Sequence, residues 1–214
     1  MSAKSTSFHG LGIAPKLLAV LEKNKFTVPT PIQEQSIPVA IEGKDIIGIA
    51  QTGTGKTMAF GIPMLQRLAR DGGQGLIVVP TRELAVQVDE SLQKIGRSFG
   101  LKTAVLIGGE AFDRQLRKLK AKAHVIIATP GRLIDHMERR TVRLETTSVF
   151  VMDEADRMLD MGFMPQIKMI LEKLPEKRQT MLFSATMPAK ILGLATQHMQ
   201  LPVRVEVAPA GTAA

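Results

Sequence analysis

The residues best suited to chemistry form a glycine-rich segment that ends in a lysine and a threonine. Its letters are AQTGTGKT, residues 50–57, which fit the P-loop pattern except that Ala50 replaces the first glycine. In such a loop backbone N–H groups surround phosphate oxygens at the start of a helix, Lys56 reaches the β- and γ-phosphates, and the Thr57 hydroxyl can hold Mg²⁺. An ordinary glycine-rich turn between a strand and a helix is the alternative. The predicted nucleotide-phosphate site consists of Ala50, Gln51, Thr52, Gly53, Thr54, Gly55, Lys56 and Thr57.

Two adjacent acids follow a strongly apolar run further along the chain. Val149–Met152 has the character of a buried strand, and the letters DEAD come directly after it at residues 153–156. Asp153 can bind Mg²⁺ through water, and Glu154 can orient or deprotonate an attacking water, as phosphoryl transfer requires. Acids also favour the first turn of a helix, so these two could instead begin a helix over residues 154–159.

These side chains need a scaffold, and the hydrophobic pattern predicts one. Short apolar runs alternate with longer segments of helical period, which is typical of an α/β fold with a mainly parallel, twisted sheet of about seven strands and helices on both faces. Ligands bind such a sheet beyond the carboxyl ends of its strands. The predicted strands are Asp45–Ala50, Leu76–Val79, Thr103–Ile107, His124–Ala128, Val149–Met152, Thr180–Phe183 and Val203–Val207. The predicted helices include Lys56–Arg70, Arg82–Phe99, Asp113–Ala121, Leu133–Arg139, Pro165–Leu174 and Ala189–His198.

Composition limits the classes of protein to which the chain can belong. Its 214 residues, 44% of them hydrophobic, suffice for one well-buried core. The formal net charge of +8 favours an anionic partner, although many basic domains carry only solvated charge. The absence of Cys excludes disulfides, thiolate metal sites and thiol nucleophiles. No apolar run approaches the roughly 20 residues that span a bilayer, so we expect a cytoplasmic protein with no membrane partner.

Further motifs resemble those of the DEAD-box RNA helicase family, in the family's order and along nearly the whole chain, with the look of a bacterial member. FTVPTPIQ, residues 26–33, resembles the adenine-reading Q motif, and Phe8 stands at the distance of the family's isolated upstream aromatic. SAT, residues 184–186, resembles the motif that couples hydrolysis to RNA binding. The three RNA-contacting motifs are matched by PTRELA (residues 80–85), GG (108–109) and TPGR (129–132).

The resemblance implies a RecA-like P-loop NTPase domain that uses ATP, with ADP or AMP as product, and Mg²⁺. It also implies sequence-independent binding to the sugar-phosphate backbone of RNA. Thr57 and Asp153 are the implied Mg²⁺ ligands, the latter through water. The implied catalytic residues are Lys56, Asp153, Glu154, Ser184 and Thr186, and Phe8, Phe26 and Gln33 join the phosphate loop in the nucleotide site. The implied RNA contacts are Pro80, Thr81, Arg82, Gly108, Gly109, Thr129, Pro130, Gly131 and Arg132.

Physical chemistry supports the adenine assignments and leaves alternatives open. An amide offers both a donor and an acceptor, which suit the N6 and N7 edge of adenine, so Gln33 predicts a preference for ATP over GTP. Gln33 could equally be a polar residue in the first turn of a helix that begins at Pro31. Phe26 could stack on the base or belong to the core, which is the default for any single Phe in this chain.

Small hydroxyl residues and methionines have structural interpretations as well. Thr81 and Thr129 could cap helices, with or without binding phosphate, and Ser184 and Thr186 could cap the helix that follows Pro188. By resemblance, the last two bond to the DEAD carboxylates. The near-helical spacing of the three methionines predicts core packing for Met158, Met161 and Met164.

The domain organisation follows from the same comparison with the family pattern. We expect residues 1–207 to form the ATP-binding domain and residues 208–214, APAGTAA, to begin an interdomain linker or a disordered tail. Nothing in the chain matches the family's second RecA-like domain with its arginine fingers. We therefore expect a monomeric domain with weak nucleotide and RNA binding, little turnover and no unwinding by itself. The alternatives are a binding module without catalysis, a DNA-directed P-loop motor, and a structural protein with an empty loop.

Overall fold

The computed structural model describes residues 7–209. The start of the predicted domain, residues 1–6, and residues 210–214 of the predicted linker lie outside the described residues. One parallel sheet forms the centre, with its strands in the order β3-β4-β2-β5-β6-β1-β7, which confirms the predicted sheet. These strands are β1 (Ile46–Ile49), β2 (Gln74–Val78), β3 (Thr103–Leu106), β4 (Val125–Ala128), β5 (Thr147–Met152), β6 (Gln179–Ser184) and β7 (Val203–Glu206).

Helices lie between most of the strands, and the predicted helices are all found. Among residues 7–209 they are α1 (Pro15–Lys23), α2 (Pro31–Ile41), α3 (Lys56–Asp71), α4 (Arg82–Gly96), α5 (Phe112–Lys120), α6 (Pro130–Glu138), α7 (Ala155–Asp160), α8 (Met164–Lys173) and α9 (Ala189–His198). The predicted helix over residues 82–99 ends its α-helical part at Gly96 and continues as a 3₁₀ turn. Helix α6 begins at Pro130 rather than Leu133, because proline suits the first position of a helix.

Two apolar cores form on opposite faces of the sheet, because successive strand residues point to opposite sides. In β1, Ile46 packs with the core that α2, α3 and α4 cover, and Ile47 packs with the core under α6, α7, α8 and α9. A third apolar cluster, which includes Leu17 and Leu21 of α1 and Phe8, packs outside α2, α3 and α4. Both faces of the sheet are therefore covered, as predicted. No helix in the described part of the chain is both long and apolar enough to cross a membrane.

Candidate active site

The strand order divides the carboxyl edge of the sheet into two halves. The phosphate loop, the DEAD residues and the SAT residues follow β1, β5 and β6, which are neighbours in the sheet. The GG, TPGR and PTRELA motifs follow β3, β4 and β2, which are also neighbours. The phosphate loop, DEAD and SAT thus lie side by side on one half of the edge. The three motifs that resemble RNA-contacting motifs lie on the other half. The two halves meet where β2 pairs with β5.

Lys56 meets Asp153 beneath the phosphate loop. The Lys56 Nζ lies 3.2 Å from Asp153 Oδ1, and the two side chains are only 6% and 3% exposed. Burial raises the pKa of Asp153, and the adjacent Lys56 ammonium opposes that rise. The same Oδ1 accepts the N–H of Glu154 at 2.9 Å. This ion pair joins the first residue of α3 to the end of β5.

Glu154 is held by partners on both of its carboxylate oxygens. The Thr52 hydroxyl donates to Oε1 at 3.2 Å, and Arg157 Nη1 lies 3.2 Å from Oε2. The Glu154 backbone is left-handed, with φ 54° and ψ 49°, a conformation that costs a non-glycine residue about 1–2 kcal/mol. Its side chain does not cap α7 within the described chain. A helix does start here, but the carboxylate bonds to Thr52 of the phosphate loop and to the Arg157 side chain instead of to the first backbone N–H groups of α7.

The predicted Q motif packs directly against the phosphate loop. Gln33 is buried, its Oε1 accepts the Thr30 N–H at 2.9 Å, and its Nε2 donates to the Gly55 carbonyl at 3.1 Å. Gly55 has φ 87°, and a Cβ there would lie 2.5 Å from Gln33 Nε2. Glycine is therefore required at this position both by backbone conformation and by space. Gln33 therefore lies in the first turn of α2 and also contacts the phosphate loop.

The two aromatic residues assigned to the adenine site lie in the third apolar cluster. Phe8 is 4% exposed there, and Phe26 is half-buried against the same cluster. Phe8 therefore occupies a core position, the alternative for any single Phe, and Phe26 packs at the edge of that cluster. Their contact with a base stays a prediction.

The loop and its carboxylates fit a nucleotide with Mg²⁺. Gly53 and Gly55, with φ 84° and 87°, turn the backbone just before α3, as a loop that presents N–H groups to phosphate requires. The Thr30 Oγ1 beside Gly55 is buried and has no hydrogen-bond partner in residues 7–209. Across those residues no group of three or more His, Asp or Glu could hold a metal. A Mg²⁺ at Thr57 and Asp153 would therefore depend on phosphate oxygens for further ligands.

The SAT residues bond to Asp156, the last acid of DEAD. The Asp156 N–H donates to the buried Ser184 Oγ at 3.1 Å, and Thr186 donates its N–H and its hydroxyl to Asp156 Oδ2 at 3.1 and 2.9 Å. Partial burial raises the pKa of Asp156, but the hydrogen bonds from Thr186 and Ser184 outweigh it and hold this pKa below its usual value. Neither hydroxyl caps α9, whose N-cap is Pro188. Asp156 is absent from the predicted site residues, although its place in the DEAD run was a signal.

A groove of about 420 Å³ opens on the other half of the sheet edge. It brings together residues of all three predicted RNA motifs. The core prediction is wrong for Met161, which is 48% exposed and lines this groove, because α7 ends at Asp160 and the helical spacing ends with it. Met158 is buried as predicted, and Met164 is half-buried. The lining residues are Pro80, Thr81, Arg82, Gly108, Thr129, Gly131, Arg132, Asp135, Met161 and Phe163.

Local contacts fix the positions of two arginine side chains in the groove. A Cβ on Gly109, which has φ 79°, would overlap the Arg82 guanidinium, so the glycine permits the close approach of Arg82. Arg132 Nη1 donates to the Glu110 carbonyl at 3.1 Å. Thr81 caps α4 by accepting the Leu84 N–H at 3.3 Å. The predicted capping role fails for Thr129, whose side chain makes no cap bond in the described structure.

Comparisons with known proteins show the family of this chain. The family model described as DEAD/DEAH box helicase matches residues 30–193. A DEAD-box ATP-dependent RNA helicase CshA from Streptococcus pneumoniae serotype 4 is 47% identical over 203 residues, which are 94% of this chain and 39% of that protein. The protein of the same name from Bacillus cereus is 48% identical over 204 residues, again 94% of this chain and 39% of that protein. The chain thus spans about two fifths of the length of these curated relatives.

Solved structures show the same fold. The crystal structure of a DEAD box protein from the hyperthermophile Methanococcus jannaschii superposes with a TM-score of 0.89 at 36% identity, and the match covers 94% of this chain and 56% of that chain. This likeness confirms the predicted RecA-like fold.

Proposed function

Because the chain belongs to the DEAD/DEAH box helicase family, we propose that it binds and hydrolyses ATP with Mg²⁺ and binds RNA, as the ATP-binding part of an ATP-dependent RNA helicase. The Lys56–Asp153 ion pair of 3.2 Å carries this proposal. It places the ammonium of a phosphate loop and the first carboxylate of DEAD at one point of the sheet edge. P-loop NTPases need these two groups at one site for phosphoryl transfer.

The phosphate site is built from α3 and the end of β5. The loop N–H groups and the Lys56 ammonium would bind the β- and γ-phosphate oxygens, in competition with Asp153 for Lys56. Thr57 and, through water, Asp153 would hold Mg²⁺, which neutralises charge that develops on the phosphate oxygens. Because Lys56 and Asp153 are buried against each other at 3.2 Å, the phosphates and Mg²⁺ would separate this ion pair as they bind.

Glu154 is the residue that we assign to the attacking water. The Thr52 hydroxyl and Arg157 each hold one of its oxygens at 3.2 Å, so the carboxylate has a fixed direction. The water oxygen would bond to the γ-phosphorus as the bond to the leaving ADP oxygen breaks, and Glu154 would orient that water and accept its proton. Ser184 and Thr186 would report RNA binding to this centre through Asp156, which lies two residues from Glu154.

Adenine recognition is assigned to Gln33, with Phe26 and Phe8 on the same side. The Gln33 amide uses one acceptor site for the Thr30 N–H and one donor for the Gly55 carbonyl, which leaves one donor and one acceptor site for the N6 and N7 edge. One amide would therefore contact both the base and the phosphate loop at Gly55. Phe26, which is half-buried, is the accessible aromatic of the pair.

The groove on β3, β4 and β2 is the proposed RNA site. Its arginines, hydroxyls and backbone N–H groups suit phosphate and sugar oxygens, which carry no base sequence. The chain has no Tyr and no Trp, and an array of aromatic residues is the usual means of stacking bases. Binding should therefore be independent of base sequence.

The whole protein would carry more than this domain. We propose that residues 1–207 form the ATP-binding domain, that residues 208–214 begin a linker, and that a second RecA-like domain completes the ATP and RNA sites. An arginine finger contributes about 10³–10⁵ in rate, so this chain alone should turn over ATP slowly and unwind no duplex. A monomeric state and a cytoplasmic location stay predictions.

Two binding titrations test this function. Fluorescent ADP and GDP, each with Mg²⁺, would be titrated with the chain, and a labelled RNA strand would be compared with DNA of identical sequence. We expect ADP to bind more tightly than GDP, and RNA more tightly than DNA because the 2′-OH distinguishes them. Equal binding of RNA and DNA would favour a DNA-directed motor. Absence of ADP binding would overturn the nucleotide site itself.

A further inference from the structure

A buried glutamine lies between two of the motifs that line the groove. Gln115, in the middle of α5, is 2% exposed. Its Nε2 donates to the Ile107 carbonyl at 2.8 Å, and Ile107 directly precedes Gly108. The amide therefore anchors the start of the Gly108–Gly109 turn from below.

The other end of the amide faces helix α6. Gln115 Oε1 accepts from His136 Nε2 at 2.7 Å and from Arg132 Nη1 at 3.4 Å. Arg132 is further restrained by the Glu110 carbonyl at 3.1 Å and by Asp135, whose Oδ2 lies 3.6 Å from Nε. One side chain thus contacts both the segment before the GG motif and the arginine of TPGR.

His136 fixes the direction of that amide. Its ring is fully buried and stacks on Phe112 with centroids 4.1 Å apart, and the Arg139 guanidinium lies over the same Phe112. Burial and the neighbouring Arg132 lower the pKa of His136 to about 4, so the ring is neutral near pH 7. Because Gln115 Oε1 can only accept, the neutral ring carries its proton on Nε2. The Nδ1 atom lies 2.7 Å from the Thr141 hydroxyl, which also lies 3.0 Å from the His136 carbonyl.

We propose that Gln115 is a positioning residue of the RNA groove, with its buried amide holding the Gly108–Gly109 turn and the Arg132 guanidinium in one fixed relation. The inference rests on the proposed RNA-binding function. Gln115 does not touch the groove surface itself, and it acts through Ile107 and Arg132. Loss of the amide leaves the Ile107 carbonyl and the His136 N–H without their partner, and both groups are buried.

The chain offers a matched control for a test. Gln93 on α4 is half-buried, and its Nε2 donates to Thr103 Oγ1 at 3.1 Å and to the Leu101 carbonyl at 3.5 Å. It therefore supports the amino end of β3, whereas Gln115 supports the segment after the carboxyl end of the same strand. Gln115→Met and Gln93→Met each replace a hydrogen-bonded amide, fully buried in Gln115 and half-buried in Gln93, by an apolar side chain of similar length.

Two readouts separate positioning from folding and from the proposed function. The first is amide hydrogen exchange over residues 107–110, and the second is the affinity for a fluorescein-labelled oligouridine measured by anisotropy with ADP and Mg²⁺. We expect Gln115→Met to accelerate exchange in that segment and to weaken RNA binding about tenfold, with ADP affinity unchanged. Gln93→Met should lower the melting temperature and change neither readout. His136→Gln, which keeps a donor toward Gln115, should retain more RNA affinity than His136→Leu.

The outcomes are distinct. The positioning role would be overturned if Gln115→Met left hydrogen exchange over residues 107–110 unchanged, or accelerated that exchange without weakening RNA binding. The proposed RNA-binding function would still hold in either case, provided that the wild-type chain binds RNA. Equal loss of RNA affinity in Gln93→Met would also overturn it, because the effect would then be general destabilisation. A wild-type chain that binds no RNA would remove the proposed RNA function, and the positioning role in RNA binding with it.

Discussion

Thr186 donates two hydrogen bonds to one oxygen of Asp156, from its backbone N–H at 3.1 Å and from its hydroxyl at 2.9 Å. The bonds connect the segment after β6 to the first turn of α7, two residues from Glu154. A movement of either segment would therefore displace the Glu154 carboxylate, which we assign to orienting the attacking water.

Thr186→Val removes the hydroxyl bond and keeps the backbone bond. The pKa of Asp156, which is held low in the wild type, should rise toward its usual value and be visible in a carbon-detected NMR titration. A lowered carboxyl pKa stabilises the fold above the unfolded pKa and loses that effect as pH falls. Because solvent screens this partly exposed carboxylate, the variant should lose less than about 1 kcal/mol of stability at neutral pH. Thr196→Val, whose hydroxyl donates to the Leu192 carbonyl instead, should leave the Asp156 pKa unchanged. A shift of equal size in both variants would refute the assignment.

Lys56→Met should destabilise the fold in a pH-dependent way. It leaves the buried Asp153 without its partner, which costs about 3 kcal/mol near pH 8 when the charge persists. Burial raises the pKa of Asp153, and more so without Lys56, so the folded variant binds a proton more readily than the unfolded chain. Its deficit should shrink as pH falls toward 5, as urea unfolding at several pH values would show. The double variant Lys56→Met with Asp153→Asn should recover stability near pH 8, and a deficit that is independent of pH would contradict the buried ion pair.

Gly109→Ala should weaken RNA binding more than it weakens the fold. Its φ of 79° strains any side chain, and the new Cβ would push the Arg82 guanidinium out of place. Gly100→Ala has similar strain, with φ 76°, but its Cβ meets nothing within 4 Å. Both variants should lose about 1 kcal/mol of stability, and only Gly109→Ala should lose RNA affinity, by about tenfold, in anisotropy titrations. Equal RNA affinity in the two variants would show that Arg82 is not set by this contact.

The buried His136 should make the fold sensitive to mild acid. Its pKa is lowered from 6.5 to about 4, so between these values the unfolded chain binds a proton and the folded chain does not. The free energy of unfolding should therefore fall as pH drops from about 6.5 toward 4, by about 1–2 kcal/mol. Other carboxylates titrate in the same range, so the informative quantity is the difference from His136→Gln. Parallel pH profiles for wild type and variant would contradict the neutral, buried ring.

The local sequence was enough to predict elements whose ends are marked by a change from apolar to polar residues. The end of β5 at Met152 could be predicted because the apolar run stops there at two acids, and α9 was predicted with its observed bounds. The first predicted strand, Asp45–Ala50, extends one residue beyond the end of β1 at Ile49. The side-chain partners needed the tertiary structure. Nothing in the local spacing says that Thr52 holds Glu154 across 102 positions, or that Gln33 packs on Gly55.

The errors have physical causes. Met161 fits a helical period with Met158, but α7 ends one residue earlier, so its side chain turns to the groove. Helix α1 is absent from the predicted helices. Its apolar face packs on other helices and not on the sheet, whereas the prediction looked for helices between the strands of that sheet. The assignment of Phe8 to the base is not among these errors: its burial in the cluster that includes α1 leaves contact with a base as a prediction.

The most direct test of the account is steady-state ATP hydrolysis by the wild-type chain and by Glu154→Gln, each with and without single-stranded RNA. Glu154→Gln keeps the size of the side chain and removes its basicity, so it also reports any contaminating ATPase. We predict slow wild-type turnover above the Glu154→Gln level and a further increase when RNA is added, with nucleotide binding equal in the two proteins. Equal turnover in both proteins, with nucleotide binding intact, would contradict the claim that this chain carries its own catalytic groups.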